Sequence, residues 1–268
     1  MSMPRMLVLV RHGKSEGNVA KKRSQKGDDS IYSDPAFANR HSSHFRLVDE
    51  GRKQAKLSGE WIQRAIGPHF DRYYVSQYIR AMETAAHLSL PEAKWFPEFN
   101  LRERDWGNFD VMPESVRHER FAESMRNKEI SPFYWKPDNG ESIAQCSMRV
   151  DRVIDTLHRE CDGKRVIVVS HGELMWAWRI RLERMSQERY LELDQSDDPK
   201  DHIDNGHILV YTRENPATGR LAPYLNWMKS ISPSHPEATC DEWQEIIRPN
   251  YTNDELLELV EHIPQVLF

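Results

Sequence analysis

The chain predicts an α/β fold, a three-layer sandwich with a mostly parallel central sheet flanked by helices, together with a small cap and a helical C-terminal tail. Three observations carry that expectation. Four apolar runs of strand length, Met6 to Val10, Tyr73 to Val75, Val166 to Val169 and Ile208 to Tyr211, are rich in β-branched or aromatic residues. They alternate with longer segments of helical period, the order that gives parallel strands joined by helices. Two of the runs end alike, one in Arg11, His12 and Gly13, the other in Ser170, His171 and Gly172. Side chains in the turns after parallel strands gather at the carboxyl edge of the sheet, so two imidazoles are expected to share a pocket.

The elements follow in order. After the first strand, Ser24 to Arg46 is polar, holds Gly27, Asp28, Asp29 and Pro35, and has no sustained period, which predicts a long loop near the first motif. A helix begins near Glu50, aligns Ala55, Gly59, Ile62 and Ile66, and stops before Gly67 and Pro68. The second strand leads to a helix over Ile79 to Leu88. Asn108 to Asp138 reads as a cap, with a helical stretch from Pro113 to Met125 before the aromatic residues Phe133, Tyr134 and Trp135. The clearest helix spans Ser142 to Cys161, where Ile143, Cys146, Val150, Val153 and Leu157 recur at spacings of three and four. Another is expected over Glu173 to Met185. The tail after Pro233 carries Leu256, Leu257, Leu259, Val260 and Ile263 on a short helix, apolar residues that must be buried against the core or a second subunit. A main domain over 1–235, a helical extension over 236–268, and a homodimer are therefore expected.

Composition narrows the function classes. A net charge of -5 over 268 residues, with a pI near 6.2, offers no basic stripe to a phosphate backbone and argues against nucleic acid as a partner. No apolar stretch approaches the roughly 20 residues that cross a bilayer, so no membrane partner is expected. The first apolar run is too short for a signal-peptide core, and residence in the cytoplasm is the expectation. Cys146, Cys161 and Cys240 are odd in number and widely spaced, which suggests neither a disulfide framework nor a zinc site. The pair His41 and His44 lacks a third ligand in its polar loop and is not expected to hold a metal.

The candidate chemistry lies in four segments. In RHGKSEGN, Arg11 can hold a phosphate through two charge-assisted hydrogen bonds, Gly13 lets the backbone approach closely, and Asn18 can donate from its amide. Arg80, in SQYIRAMETA, falls just inside a helix after the second strand and is a second clamp. His171 and Gly172, in SHGE, follow the third run, and Glu103, in LRERDWGNF, is the candidate acid. Trp106, Phe109, Phe133, Tyr134 and Trp135 are secondary candidates for stacking on a leaving group, with core or cap packing the favoured reading.

Together with LVDEGRKQA and NGES, these segments resemble the histidine phosphatase superfamily, which includes the cofactor-dependent phosphoglycerate mutases. The resemblance spans about Met6 to Arg213 and is greatest to the broad phosphatase-like branch, with its plant and fungal mutase-like proteins, rather than to the glycolytic mutases. It implies phosphoryl transfer through a phosphohistidine, with no metal and no cofactor. On that match His12 is the nucleophile, Glu103 the proton donor and then the base, and Arg11, Arg80, His171, Asn18 and Gly172 hold the phosphate of a small phosphorylated substrate. Members usually have Glu or Thr where this chain has Lys14, so Lys14 is a candidate for added positive potential at the mouth that would favour a second anionic group. Ser24, where the long loop begins, is a second candidate for specificity. The expected activity is hydrolysis of phosphate monoesters; a phosphoglycerate mutase and a non-catalytic phospholigand scaffold are the alternatives.

Overall fold

The computed structural model describes residues 2–267. Strand β1 (Met6–Arg11) leads to helix α1 (Glu16–Ser24), the short α2 (Pro35–Ala38) and the long α3 (Asp49–Ala65). β2 (Arg72–Ser76), α4 (Ile79–His87) and β3 (Trp95–Glu98) follow, then the cap helices α5 (Glu114–Arg120) and α6 (Ala122–Ile130). The second half holds α7 (Ile143–Glu160), β4 (Arg165–Ser170), α8 (Gly172–Glu183) and α9 (Gln187–Asp194). It closes with β5 (Ile208–Thr212), β6 (Trp227–Ile231), β7 (Cys240–Glu245) and α10 (Asn253–Glu261).

The seven strands form one sheet in the order β3-β2-β4-β1-β5-β6-β7. β1, β4, β2 and β3 pair in parallel, whereas β5, β6 and β7 extend the sheet as an antiparallel meander. Two cores sandwich it. Leu7, Leu9, Val166, Val168 and Leu209 meet α7 and α8 on one face, and Val8, Val10, Ile167, Val169 and Val210 meet α3 and α4 on the other. This alternation explains why β1 and β4 read as unbroken apolar runs: both faces of each strand are covered. Each fully buried valine contributes roughly 1.5–3 kcal/mol over an exposed one.

Register places the site. Arg11 pairs with Ser170, and Val75 with Val169, so the ends of β1, β4 and β2 fall side by side at one edge of the sheet. The sharp return after β1 depends on Gly13 and Gly51. A Cβ on Gly13 would lie 2.2 Å from the Gly51 carbonyl oxygen, and one on Gly51 would lie 2.1 Å from that of Lys14. The close approach that Gly13 permits is therefore to the first turn of α3, not to a ligand.

Three other expectations change. The segment after Pro233 is not helical throughout, because β7 joins the sheet by pairing with β6. α10 is capped by Thr252 but leaves Leu256, Leu257, Leu259, Val260 and Ile263 exposed, so they are not covered by the core. The polar segment from Ser24 to Arg46 is not structureless: α2 and two single turns of 3-10 helix (Ser30–Ser33 and Ser42–His44) fold it around Phe37 and Phe45, which pack with Ala20.

Candidate active site

At the carboxyl edge of the sheet lies a pocket of about 230 Å³, lined by Arg11, His12, Asn18, Arg80, Glu103 and Gly172 among others. His12 is buried in the turn after β1, its ring centroid 5.1 Å from that of His171. Its Nδ1 lies 2.7 Å from the Gly13 carbonyl oxygen. A carbonyl only accepts, so Nδ1 carries the ring proton and Nε2 keeps its lone pair. Arg80 Nε donates to that Nε2 at 3.1 Å, which agrees with this tautomer. Burial first, then the charges of Arg80 and Arg11, hold the His12 imidazole well below its ordinary value of 6.5, so the neutral form is favoured.

His171 is fully buried between His12 and Tyr78. Ser76 Oγ accepts from the Tyr78 amide at 3.3 Å and lies 2.8 Å from His171 Nε2. The other ring nitrogen, His171 Nδ1, is a buried atom without a protein partner. Arg11 Nε is orphaned in the same way, although another nitrogen of the guanidinium reaches the Ile203 carbonyl. A buried polar atom left unpaired costs roughly 1–3 kcal/mol. Two of them beside one imidazole describe a cradle for an anion. Gly172 belongs to it sterically, since a Cβ there would lie 3.0 Å from Arg11 Cζ and Nε. The first turn of α8 thus lines the pocket, where the helix dipole favours negative charge.

Arg80 is buried at the start of α4 and is held from above by the long loop, its terminal nitrogen donating to the Ser42 carbonyl at 2.7 Å. Asn18 caps α1 reciprocally with Ser15. Its Oδ1 also accepts from Asn205 at 3.2 Å, and Asn205 donates in addition to the His12 carbonyl at 3.1 Å. Glu103 Oε1 accepts the Arg104 amide at 2.9 Å. Burial, and then the nearby Glu173, raise the Glu103 carboxyl above its ordinary range. Donor atoms of His12, Glu103 and His171 lie within 4.8 Å of one another. That spacing could span a metal ion, but the guanidinium groups of Arg11 and Arg80 beside them suit an anion.

Two sequence candidates are not brought to this pocket. Lys14 turns away and pairs with Glu50 Oε2 at 2.6 Å. Ser24 is buried at the end of α1, where its hydroxyl accepts the Glu114 amide at 2.8 Å and ties the cap to that helix. Of the aromatic candidates, Trp106 lines the pocket, whereas Phe109 and Trp135 are buried in the cap and pack on each other. Sequence reasoning missed Lys21, Arg104, Arg117, Asn205 and Glu173. Lys21 had a signal, since it lies three residues beyond Asn18 on a helix and must share its face. Asn205 had none.

The family model of the histidine phosphatase superfamily (branch 1) matches residues 7–201. The chain belongs to that superfamily, and so to a class of phosphoryl-transfer enzymes. Among its relatives, a 2,3-bisphosphoglycerate-dependent phosphoglycerate mutase of Parvibaculum lavamentivorans is 30% identical over 201 residues, covering 72% of this chain and 86% of the mutase. A phosphoglycerate mutase-like protein of Arabidopsis thaliana is 25% identical over 252 residues, covering 83% of this chain and 74% of its own. In fold, the alpha-ribazole phosphatase of Shigella flexneri superposes with a TM-score of 0.61 at 21% identity, over 82% of this chain and 96% of that one. Sequence likeness thus extends to mutases as well as to mutase-like proteins.

Proposed function

We propose that the chain hydrolyses phosphate monoesters of small molecules through a phosphohistidine on His12, with no metal ion taking part. One observation carries the reading: His12 Nε2, which accepts from Arg80 Nε at 3.1 Å, stands in one buried cluster with the unpartnered nitrogens Arg11 Nε and His171 Nδ1. In the first step Nε2 attacks phosphorus, the bond from phosphorus to the ester oxygen breaks, and the Glu103 carboxyl gives its proton to the departing oxygen. In the second, water attacks phosphorus, Glu103 takes the water proton, and the electron pair of the P–N bond returns to Nε2. Arg11, Arg80 and His171 neutralise the equatorial oxygens throughout. Asn18 and the first turn of α8 at Gly172 hold the same phosphate.

The 30% identity to a phosphoglycerate mutase supports a second reading, in which the phosphoryl group returns to a phosphoglycerate instead of passing to water. Both outcomes use the same residues. Phosphate release from a set of alkyl phosphates, in the presence of chelator, measured beside interconversion of 3- and 2-phosphoglycerate with and without a bisphosphoglycerate primer, separates them. The hydrolytic reading expects phosphate release without primer and little interconversion. Primer-dependent interconversion with negligible release would make the chain a mutase, and absence of both would make it a binding scaffold.

A further inference from the structure

The tail helix α10 stands clear of the body it belongs to. Among the described residues, no hydrogen bond or ion pair ties Asn253–Glu261 to the rest of the fold beyond its own cap at Thr252. Leu256, Leu259, Val260 and Ile263 fall at positions i, i+3, i+4 and i+7, one continuous stripe, and all four are exposed. Asp254, Glu255, Glu258 and Glu261 occupy the rest of the circumference, with no lysine or arginine among them. A helix of nine residues is marginal in water unless its apolar face packs. The surface that covers this one should be apolar in the middle and positive around it.

Such a surface lies at the far end of α8. A groove of about 360 Å³ is lined by the buried Met3, Leu182 and Leu225 and the half-buried Ile154, with Arg181, Arg184 and Arg248 around them. Among the described residues its one carboxylate is Asp151, which Arg181 holds at 2.7 Å, and Arg184 has no ion-pair partner. Arg248 donates only to neutral acceptors, the Leu182 and Leu225 carbonyls and Asn226 Oδ1, at 3.0, 2.7 and 2.9 Å. Burial, and then the charge of Arg184, lower the Arg248 guanidinium from its ordinary value, as expected of cations held together. An acidic helix laid across the groove would relieve that crowding.

We propose that α10 of one copy docks in this groove of a second copy, reciprocally, so that the chain forms a twofold dimer by exchange of tail helices. The charges are complementary: α10 is uniformly acidic, and the groove carries an excess of arginine. The position fits as well. Arg248 belongs to the groove and Thr252, the cap of α10, lies four residues beyond it, within about 14 Å of chain. Each helix therefore starts beside its own groove, and a twofold axis there joins the two contacts into one interface, doubling the buried area toward the roughly 1,200–2,000 Å² of a stable pair. Gly172 opens α8 at the His12 pocket and Leu182 lies about 15 Å along that helix at the groove, so the exchange leaves both His12 pockets open.

Sedimentation of the full chain between about 1 and about 100 µM is expected to show dimer dissociating to monomer. The double variant Leu256→Asp/Val260→Asp, and separately Arg184→Glu, should each raise the dimer Kd by at least about tenfold. All three positions are exposed, and urea unfolding of the diluted proteins checks that the fold is kept. A photo-crosslinking amino acid in place of Leu257, in an equal mixture of ¹⁴N- and ¹⁵N-labelled chains, should give mixed-isotope links to the segments around Ile154 and Leu182. A chain that stays monomeric throughout, or a dimer that neither variant weakens, overturns the proposal. So do links confined to one isotope, which would place α10 on its own groove, and links between two α10 helices, which would make the contact helix to helix.

Discussion

Replacing Glu103 with Gln separates proton transfer from shape. The amide is isosteric and its oxygen can keep the Arg104 amide that Glu103 Oε1 accepts at 2.9 Å, so the site should hold its form. What is lost is a proton whose retention burial and Glu173 favour by raising the carboxyl above its ordinary range. General acid catalysis is worth a factor of about 10² to 10⁴, or roughly 2.7 to 5.4 kcal/mol at about 1.36 kcal/mol per decade. For an alkyl phosphate, whose alkoxide leaves poorly, the full factor should be missing from kcat. For 4-nitrophenyl phosphate the phenolate leaves unaided, so phosphorylation of His12 should slow by less than about tenfold. Hydrolysis of the phosphohistidine still needs Glu103 as base with either substrate. Stopped-flow mixing of Glu103→Gln with the aryl ester should therefore show a burst of nitrophenolate of about one equivalent per site, followed by slow turnover. Equal losses on both esters with no burst would refute proton delivery by Glu103 and leave it a structural role.

Further outcomes follow from the same groups. As pH falls through 6.5, kcat for an alkyl phosphate should not drop, because His12 is held neutral well below that value; as pH rises, kcat should fall when Glu103, whose carboxyl is raised, loses its proton. An acid-limb loss centred near 6.5 would contradict this. Stability should respond to His207, which burial drives down to about 3. The unfolded chain binds the proton first, so stability is present above 6.5 and is lost as pH falls, by about 2 kcal/mol between about pH 7.5 and about pH 5. Urea unfolding of the parent and His207→Gln at both pH values isolates that component, and equal slopes would exclude it. Gly172→Ala should push the Arg11 guanidinium from its place, since the new Cβ would lie 3.0 Å from its Cζ and Nε. KM for phosphate esters should rise about tenfold, and an unchanged KM would show that Arg11 moves aside freely.

The half of the sheet that positions the chemistry was legible because both its faces are covered. β1 and β4 show as continuous apolar runs. The edges were not. β3 contains Pro97, which is tolerated at an edge but demotes a strand pattern, and β7, with the sequence CDEWQE, is as polar as a loop. The tail was read as a short helix that buries its apolar residues against the core or a second subunit, yet sequence does not say where a helix packs, and α10 leaves Leu256, Leu257, Leu259 and Val260 exposed. At the site, residues that follow strands were found because topology alone brings them to one edge, as for His12, Arg80 and His171. Lys14 misled, since its position beside His12 in the chain says nothing of the direction of its side chain, which Glu50 captures. Arg104 and Arg117, which also line the pocket, were missed because they meet at Trp106 only once the segment after Glu103 and α5 have folded, a tertiary arrangement with no local periodicity to announce it.

The most direct test is to trap the intermediate on the parent protein. Mixing it with a phosphate ester labelled in the phosphoryl group, quenching in alkali within milliseconds, and mapping the label by peptide mass spectrometry should place it on His12, with a phosphate bond that survives base and is lost in acid. Label that appears at the same rate as product is released, and that is absent from His12→Ala, is the predicted result. Turnover with no label on His12, or label on His171 instead, would contradict the account.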